Sequence, residues 1–310
     1  MRKFIGYETL INNFRNRCMN NTLSHAHLIA GEDGIGKSKL ANILAKLILN
    51  GELDREYVDI INYRSNKASF GVDDVRNIIE EVSKKPFEGD KKVIIIHEGN
   101  KLTTQAQNAL LKTIEEPPVG VHIIILCESL ELILDTIKSR CEIYKLTPLT
   151  KEELYEYIRI KEFNYNENEI KSAIAFSEGI PGRIDRYFND DTLKELRSKI
   201  IDLIKDLNKN NVEIILQHEE KLSGLKDNKE EVLNILGGFI RDILIHKEVE
   251  NKEFIINGDK FDDINELTKE MSFRKLNNMI MTIEEARKNI KSNVSWAMTL
   301  RVMLMGFMEG

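Results

Sequence analysis

The 310-residue sequence is poor in three residue types, with three cysteines, five prolines and one tryptophan. Cys18, Cys127 and Cys141 lie far apart, and none belongs to a Cys-x-x-Cys pair, which argues against a zinc site and against a disulfide framework. A reducing, cytoplasmic setting is the expectation. Long apolar runs are missing too: nothing approaches the ~20 residues needed to span a bilayer, and the N-terminus shows no signal-peptide pattern. The most apolar helical stretch, Val294–Met308, is short and carries Arg301, so it reads as core. There is no basic excess. A formal net charge of −6 gives no global signature of nucleic-acid binding, although it is compatible with a local basic face. What is left is 42% hydrophobic and 31% charged, a soluble composition in a chain long enough for two or three domains.

The pattern with a direct chemical reading is Gly31-Glu32-Asp33-Gly34-Ile35-Gly36-Lys37-Ser38, a Gly-x₄-Gly-Lys-Ser phosphate-binding loop. Ala26–Ala30 before it is apolar enough for a buried strand. After it, Leu40, Ile43, Leu44 and Leu47 recur at i, i+3, i+4 and i+7, one helix face. The glycines therefore fall where a strand turns sharply into a helix, and there backbone N–H groups and the helix N-terminus can hold a polyphosphate. On this reading Gly31, Gly34 and Gly36 shape the cradle, Lys37 reaches the β- and γ-phosphates, and the Ser38 hydroxyl ligates Mg²⁺. ATP or ADP with Mg²⁺ is the expected cofactor, and no zinc is expected. The bland alternative is a chance match in a Gly-containing loop; the strand–loop–helix flanks count against it.

Further along, Met1–Thr22 reads as one helix, with Phe4, Leu10, Ile11 and Phe14 available for burial. Val58–Ile61 reads as a second strand, followed by a helix from Val72 with Val75, Ile78, Ile79 and Val82 on one face. Lys91–Ile96 has the continuous apolar run of a sheet centre. Thr103 or Thr104 can cap a helix that stops at Pro117-Pro118. Val121–Leu126 and Glu142–Leu146 complete five strands alternating with helices, the pattern of a parallel α/β sheet. Beyond Pro148 only helices follow. A small set ends near Asn189–Asp191, and longer ones carry Leu193, Leu196, Ile200 and Leu203, then Leu233, Leu236, Ile240 and Leu244, then Leu276, Ile280 and Ile283. Asn257–Asp259 and the charged segment around Lys226–Glu230 read as loops.

An α/β P-loop domain followed by a small helical domain is the layout of AAA+ proteins. The run Asn108-Ala109-Leu110-Leu111-Lys112-Thr113-Ile114-Glu115-Glu116-Pro117-Pro118, followed by Ser139-Arg140-Cys141, closely resembles clamp-loader subunits. Among these it looks most like the delta-prime type of bacterial DNA polymerase III. The resemblance includes Ser24–Leu28, Val72–Arg76 and Lys85–Gly89, covers most of residues 1–150, and thins to Gly179–Arg183 beyond. It implies a P-loop AAA+ domain over residues 1–147, a helical lid over 148–190 and an all-α collar over 191–310. It also implies the partners: gamma/tau- and delta-type subunits in a hetero-pentamer, a sliding clamp, primer-template DNA through the complex, and no membrane.

Two departures bear on the subtype. ATPase subunits of the family carry a four-cysteine zinc module between the P-loop helix and the second strand; Leu49–Asp59 holds no cysteine. A working AAA+ ATPase usually ends strand three in Asp-Glu, the Asp for the Mg²⁺ shell and the Glu for the attacking water. Here the pair is His97-Glu98, and a neutral imidazole cannot replace a carboxylate as a hard oxygen partner. The plain reading of His97 is a strand-end histidine facing a polar cleft. Glu98 remains as a water-orienting candidate, so hydrolysis is expected to be impaired rather than excluded. By the same resemblance Arg140 is an arginine finger acting in trans on a neighbour's ATP site, a task suited to the fixed guanidinium fork. Its bland alternative is a surface arginine paired with a carboxylate such as Glu142. Gly182 occupies the slot where active lids place a sensing arginine, with Arg183 beside it, and Cys141 reads as a packed residue rather than a nucleophile. The rival readings are a gamma/tau-type ATPase subunit, a stand-alone P-loop NTPase, and a structural subunit with an empty loop.

Overall fold

The structure is a computed structural model that describes residues 4–64, 69–162, 165–207, 212–225 and 228–308. Chain contacts divide it into two compact units, residues 1–163 with 177–183, and residues 164–176 with 184–310.

The first unit is built on a parallel sheet of five strands: β1 (Ala26–Ala30), β2 (Ile60–Tyr63), β3 (Lys92–Ile96), β4 (Val121–Cys127) and β5 (Glu142–Lys145), in the order β2-β3-β4-β1-β5. Period-two alternation sorts the apolar runs between two cores. Leu28, Ile94, Ile96, Ile123 and Ile125 face α3 (Val72–Ser83) and α4 (Thr104–Glu115). Ile29, Val93, Ile95, Ile124 and Leu126 face α1 (Glu8–Met19) and α2 (Lys37–Ile48). Both faces are covered, which is why these strands read as unbroken hydrophobic runs. Thr103 caps α4, its Oγ1 accepting from the Ala106 N–H at 3.2 Å.

Some boundaries differ from the expectations. The first helix begins only at Glu8, because Tyr7 lies in the left-handed region at φ 58° and no helix runs through it; Met1–Lys3 fall outside the described residues. The second strand starts at Ile60 rather than Val58, which is exposed at the foot of this edge strand. A one-turn helix, α5 (Asp135–Lys138), precedes Ser139-Arg140-Cys141. The unit also holds α6 (Lys151–Ile160), whose Thr150 and Glu153 form a reciprocal capping box.

The second unit is all helical. Most of α7 (Glu167–Ser177) and α8 (Pro181–Asn189) belong to it, with α9 (Asp191–Leu207), α10 (Val212–Ser223), α11 (Lys229–Val249), α12 (Phe261–Glu270), α13 (Phe273–Lys291) and α14 (Trp296–Met308). Its core joins Ile200 and Leu203 of α9, Leu233, Leu236 and Ile240 of α11, Leu276 and Ile283 of α13, and Leu300 and Phe307 of α14. The span 148–190 is therefore divided: α6 lies in the first unit, whereas α7 and most of α8 lie in the second. The reason is local. Tyr187 of α8 packs on Phe176 of α7, and the buried Arg197 of α9 stacks over the Tyr187 ring at 4.7 Å while pairing with Asp259 at 2.8 Å. Of the segment 226–230, Lys226 and Asp227 lie outside the described residues and Lys229-Glu230 open α11 instead of forming a loop. Among the described residues no helix is long and apolar enough to cross a membrane.

Candidate functional site

The phosphate-binding loop leaves the carboxyl end of β1 and enters α2. Gly34 and Gly36 have φ of +82° and +109°, a region that costs an L side chain strain and lets the chain reverse within a few residues. Gly36 is the N-cap of α2 and offers no side-chain cap, so the first-turn N–H groups stay available to an anion. The Lys37 ammonium donates to the Gly31 and Glu32 carbonyls at 2.7 and 2.8 Å, folded back over its own loop. Burial lowers its pKa while Asp33 and Glu128 act in the opposite direction.

Beside the loop is a cavity of about 130 Å³ whose lining includes Lys37, Ser38, Arg64, His97, Glu98 and Glu128. The Ser38 hydroxyl lies 3.2 Å from His97 Nδ1, and His97 Nε2 lies 2.8 Å from Asn62 Oδ1. His97 is buried; burial, and after it the nearby Arg64 charge, pushes its pKa down to about 4, against the pull of Glu98. The imidazole is thus neutral at physiological pH. Glu98 stands at the mouth of β3 in a left-handed conformation, its carboxylate 3.0 Å from Lys101 Nζ. Arg64, Glu128 and Asn62 were not singled out from the sequence. The rule that ligands meet α/β sheets at the carboxyl ends of strands points to the first two, which follow β2 and β4.

Gly182 meets this loop backbone to backbone. Its N–H donates to the Gly34 carbonyl at 3.0 Å, and a Cβ at 182 would lie 2.7 Å from Gly34 Cα. No side chain fits there, so the absence of an arginine in that slot has a steric cause. Arg183 turns to Glu32 at 3.0 Å and to Glu178.

Arg140 is not in this cavity. It precedes β5, whereas the loop follows β1; Ala30 and Lys145 are in register, so the two features lie at opposite ends of parallel strands. Five residues at the strand rise put them on the order of 15 Å apart. Arg140 is exposed and pairs with Glu115, not with Glu142, which is taken by Arg17. The three cysteines are free, and burial pushes the Cys127 and Cys141 thiols up to about 11 and 12, the opposite of an activated nucleophile. Among the described residues there is no group of three or more potential metal-ligating His, Cys, Asp or Glu.

A parallel β2-β3-β4-β1-β5 sheet with a P-loop after β1, followed by helices alone, defines a P-loop protein of the AAA+ class. The profile of the family described as "DNA polymerase III, delta subunit" matches residues 6–150, and that of "DNA polymerase III, delta subunit, C terminal" matches 193–307. The chain is 25% identical to DNA polymerase III subunit delta′ of Bacillus subtilis over 306 residues, 93% of this chain and 92% of that protein. It is 30% identical to subunit delta′ of Haemophilus influenzae over 177 residues, spanning about half (53%) of that protein's length. Its fold is similar to a solved DNA polymerase III gamma subunit-related protein of Thermotoga maritima, with TM-score 0.56 at 16% identity, covering 96% of this chain and 98% of the other. The chain belongs to the family of delta-prime subunits of DNA polymerase III.

Proposed function

We propose that this chain is a clamp-loader subunit that holds a nucleotide in its P-loop, is itself a weak or inactive ATPase, and lends Arg140 to a neighbouring subunit's ATP site. The family assignment supports a clamp-loading role in replication. The observation that carries the finer reading is the opposed placement of loop and finger. An arginine side chain reaches roughly 7 Å, so across a strand length Arg140 has no access to its own loop. Fixed on the outer surface by one turn of helix, it is available to a second protein.

In this reading Gly34, Gly36 and the start of α2 hold the phosphates, Lys37 turns from the Gly31 and Glu32 carbonyls to them, and Ser38 holds Mg²⁺. The uncapped helix start and the converging Lys37 and Ser38 fit a magnesium nucleotide. Bound Mg²⁺–ATP would bring the transferable phosphoryl group. With His97 in place of a carboxylate, the end of β3 supplies no negative outer-shell partner at that position, although Asp33, Glu98 and Glu128 also line the cavity. The three-domain division at 147 and 190 remains part of the proposal, as do the gamma/tau- and delta-type partners, the clamp, primer-template DNA and a cytoplasmic setting. A collar role for the C-terminal helices is supported by one exposed apolar face: Met298, Val302 and Met305 recur at i, i+4 and i+7 on α14, with Met281 exposed on α13.

One observation favours a second reading, an ATPase working in cis. Arg64 lines the cavity together with Glu98, giving a cation and a water-orienting carboxylate within one chain. Turnover separates the two. Affinity-purified chain should bring gamma/tau- and delta-type subunits from extract, bind ATP or ADP, and hydrolyse ATP very slowly alone. Fast turnover by the monomer would favour the second reading.

A further inference from the structure

The residue standing in place of the strand-three carboxylate does more than fill space. His97 ends β3 with its ring buried, and both ring nitrogens are engaged, Nε2 by Asn62 Oδ1 at 2.8 Å and Nδ1 by Ser38 Oγ at 3.2 Å. A neutral imidazole, the ordinary form of histidine above about pH 6.5, carries a hydrogen on one nitrogen and a lone pair on the other. The amide oxygen of Asn62 only accepts, which places the hydrogen on Nε2. Nδ1 is then an acceptor, and the hydrogen between it and Ser38 must come from the serine hydroxyl.

We infer that His97, held by Asn62 as the Nε2–H tautomer, is a positioning residue: its Nδ1 accepts a hydrogen bond from the Ser38 hydroxyl, which turns the O–H away from the cavity and leaves both Oγ lone pairs free for a divalent cation. This rests on the nucleotide-binding reading. It divides the two tasks of a carboxylate at this position. The imidazole fixes the hydroxyl, as a carboxylate would, but adds no negative charge to the cation's outer shell. A serine whose proton pointed into the cavity would present that proton to the cation. Asn62, on edge strand β2, thereby acts on the site through two hydrogen bonds without lining the cavity.

The test is calorimetric titration of ADP into the full chain in excess MgCl₂ and again in EDTA, with the Mg²⁺-dependent gain in affinity as the readout. Wild type should gain about tenfold, the scale of one charge-assisted contact. His97→Phe keeps the ring volume and removes the acceptor, and should cut the gain to about twofold or less. His97→Asp restores an acceptor and should match or exceed wild type. Asn62→Leu, which leaves Ser38 untouched, should give an intermediate gain. Long-range ¹H–¹⁵N spectra of the imidazole should show Nε2 protonated and Nδ1 bare. A wild-type gain in His97→Phe, an equal loss of affinity with and without Mg²⁺, or a protonated Nδ1 would overturn the inference. Failure of wild type to bind ADP at all would overturn the nucleotide reading with it. Binding that Lys37→Ala weakens but His97→Phe leaves fully Mg²⁺-dependent would overturn this inference alone.

Discussion

Arg140 and Glu115 meet as a fork on a carboxylate, Nη2 to Oε1 and Nε to Oε2 both at 3.3 Å, on the surface of the P-loop unit. A third contact, Nη1 to the Thr136 carbonyl at 3.0 Å, ties the guanidinium to the preceding helical turn. Glu115 ends α4 in the Glu-Glu-Pro-Pro segment, so the pair joins the two motifs that carry the family resemblance. An exposed ion pair is worth about 0–1 kcal/mol. Releasing Arg140 to a competing anion on another subunit therefore costs little.

The P-loop makes its own prediction. Lys37→Ala should weaken ADP and ATP binding to the isolated chain about 30- to 150-fold, because a charge-assisted contact in a half-buried site is worth about 2–3 kcal/mol. Titration calorimetry checks it. Equal affinities of mutant and wild type would favour a structural subunit with an empty loop.

At position 182 the prediction is steric. A Cβ there would lie 2.7 Å from Gly34 Cα and 2.9 Å from the Gly34 carbonyl oxygen, and both are backbone atoms that cannot swing aside. Gly182→Ala should cost about 1–3 kcal/mol by denaturant unfolding and weaken nucleotide binding through the displaced loop. A variant with wild-type stability and affinity would show that the two segments separate freely.

His27 should carry a distinct share of the acid sensitivity of the fold, beside the likewise downshifted His97 and His122. It is a fully buried residue of β1, with Nδ1 3.4 Å from the Tyr144 hydroxyl and 3.9 Å from Glu142, His122 stacked on it, and Arg17 and His25 nearby. Burial first, then the neighbouring His122, pushes its pKa down to about 3. The unfolded chain therefore takes up this proton at a higher pH than the folded one. The stability associated with neutral His27 is complete above about 6.5 and is lost as pH falls toward 3, at up to about 1.4 kcal/mol per pH unit. Unfolding free energies measured between pH 7 and 4 should fall less steeply for His27→Phe than for wild type. Parallel curves would place the acid-labile group elsewhere.

The apolar face of α14 should matter only in the assembly. Val302 and Met305 are more than half exposed, so Met305→Glu should leave the melting temperature of the isolated chain within a degree or two and reduce its co-purification with partner subunits. Undiminished assembly would remove this face from the collar.

Much of the first unit is legible in the sequence because its signals are local and doubled. Ala26–Ala30 is apolar apart from His27 and is followed by the glycines of a strand-to-helix turn, and the observed β1 has those bounds. The Thr103-Thr104 pair marks the start of α4, and the observed cap is Thr103. What was not legible depends on partners distant in sequence. The start of α1 is set by the left-handed Tyr7, which no local residue pattern marks. Asn62 sits 35 positions from His97, so its role appears only once β2 and β3 pair. The same holds for Glu115 replacing Glu142 as the partner of Arg140, a choice made by where α4 ends.

The central claim is that Arg140 acts on a neighbour, and the most direct measurement is ATP turnover by a reconstituted clamp-loader complex containing Arg140→Ala. An arginine finger is worth about 10³–10⁵ in rate at the site it serves. Turnover at the adjacent ATPase subunit and clamp loading on primed DNA should both fall, with residual activity from the remaining sites. Lysine at 140 should rescue poorly, since an ammonium keeps the charge and loses the planar fork. The isolated Arg140→Ala chain should unfold within about 1 kcal/mol of wild type and bind nucleotide with unchanged affinity. When the neighbour's own P-loop is disabled, Arg140→Ala should cause no further loss. Undiminished turnover in the assembled complex, together with an isolated Arg140→Ala chain that no longer folds, would make Arg140 a structural ion pair and contradict the account.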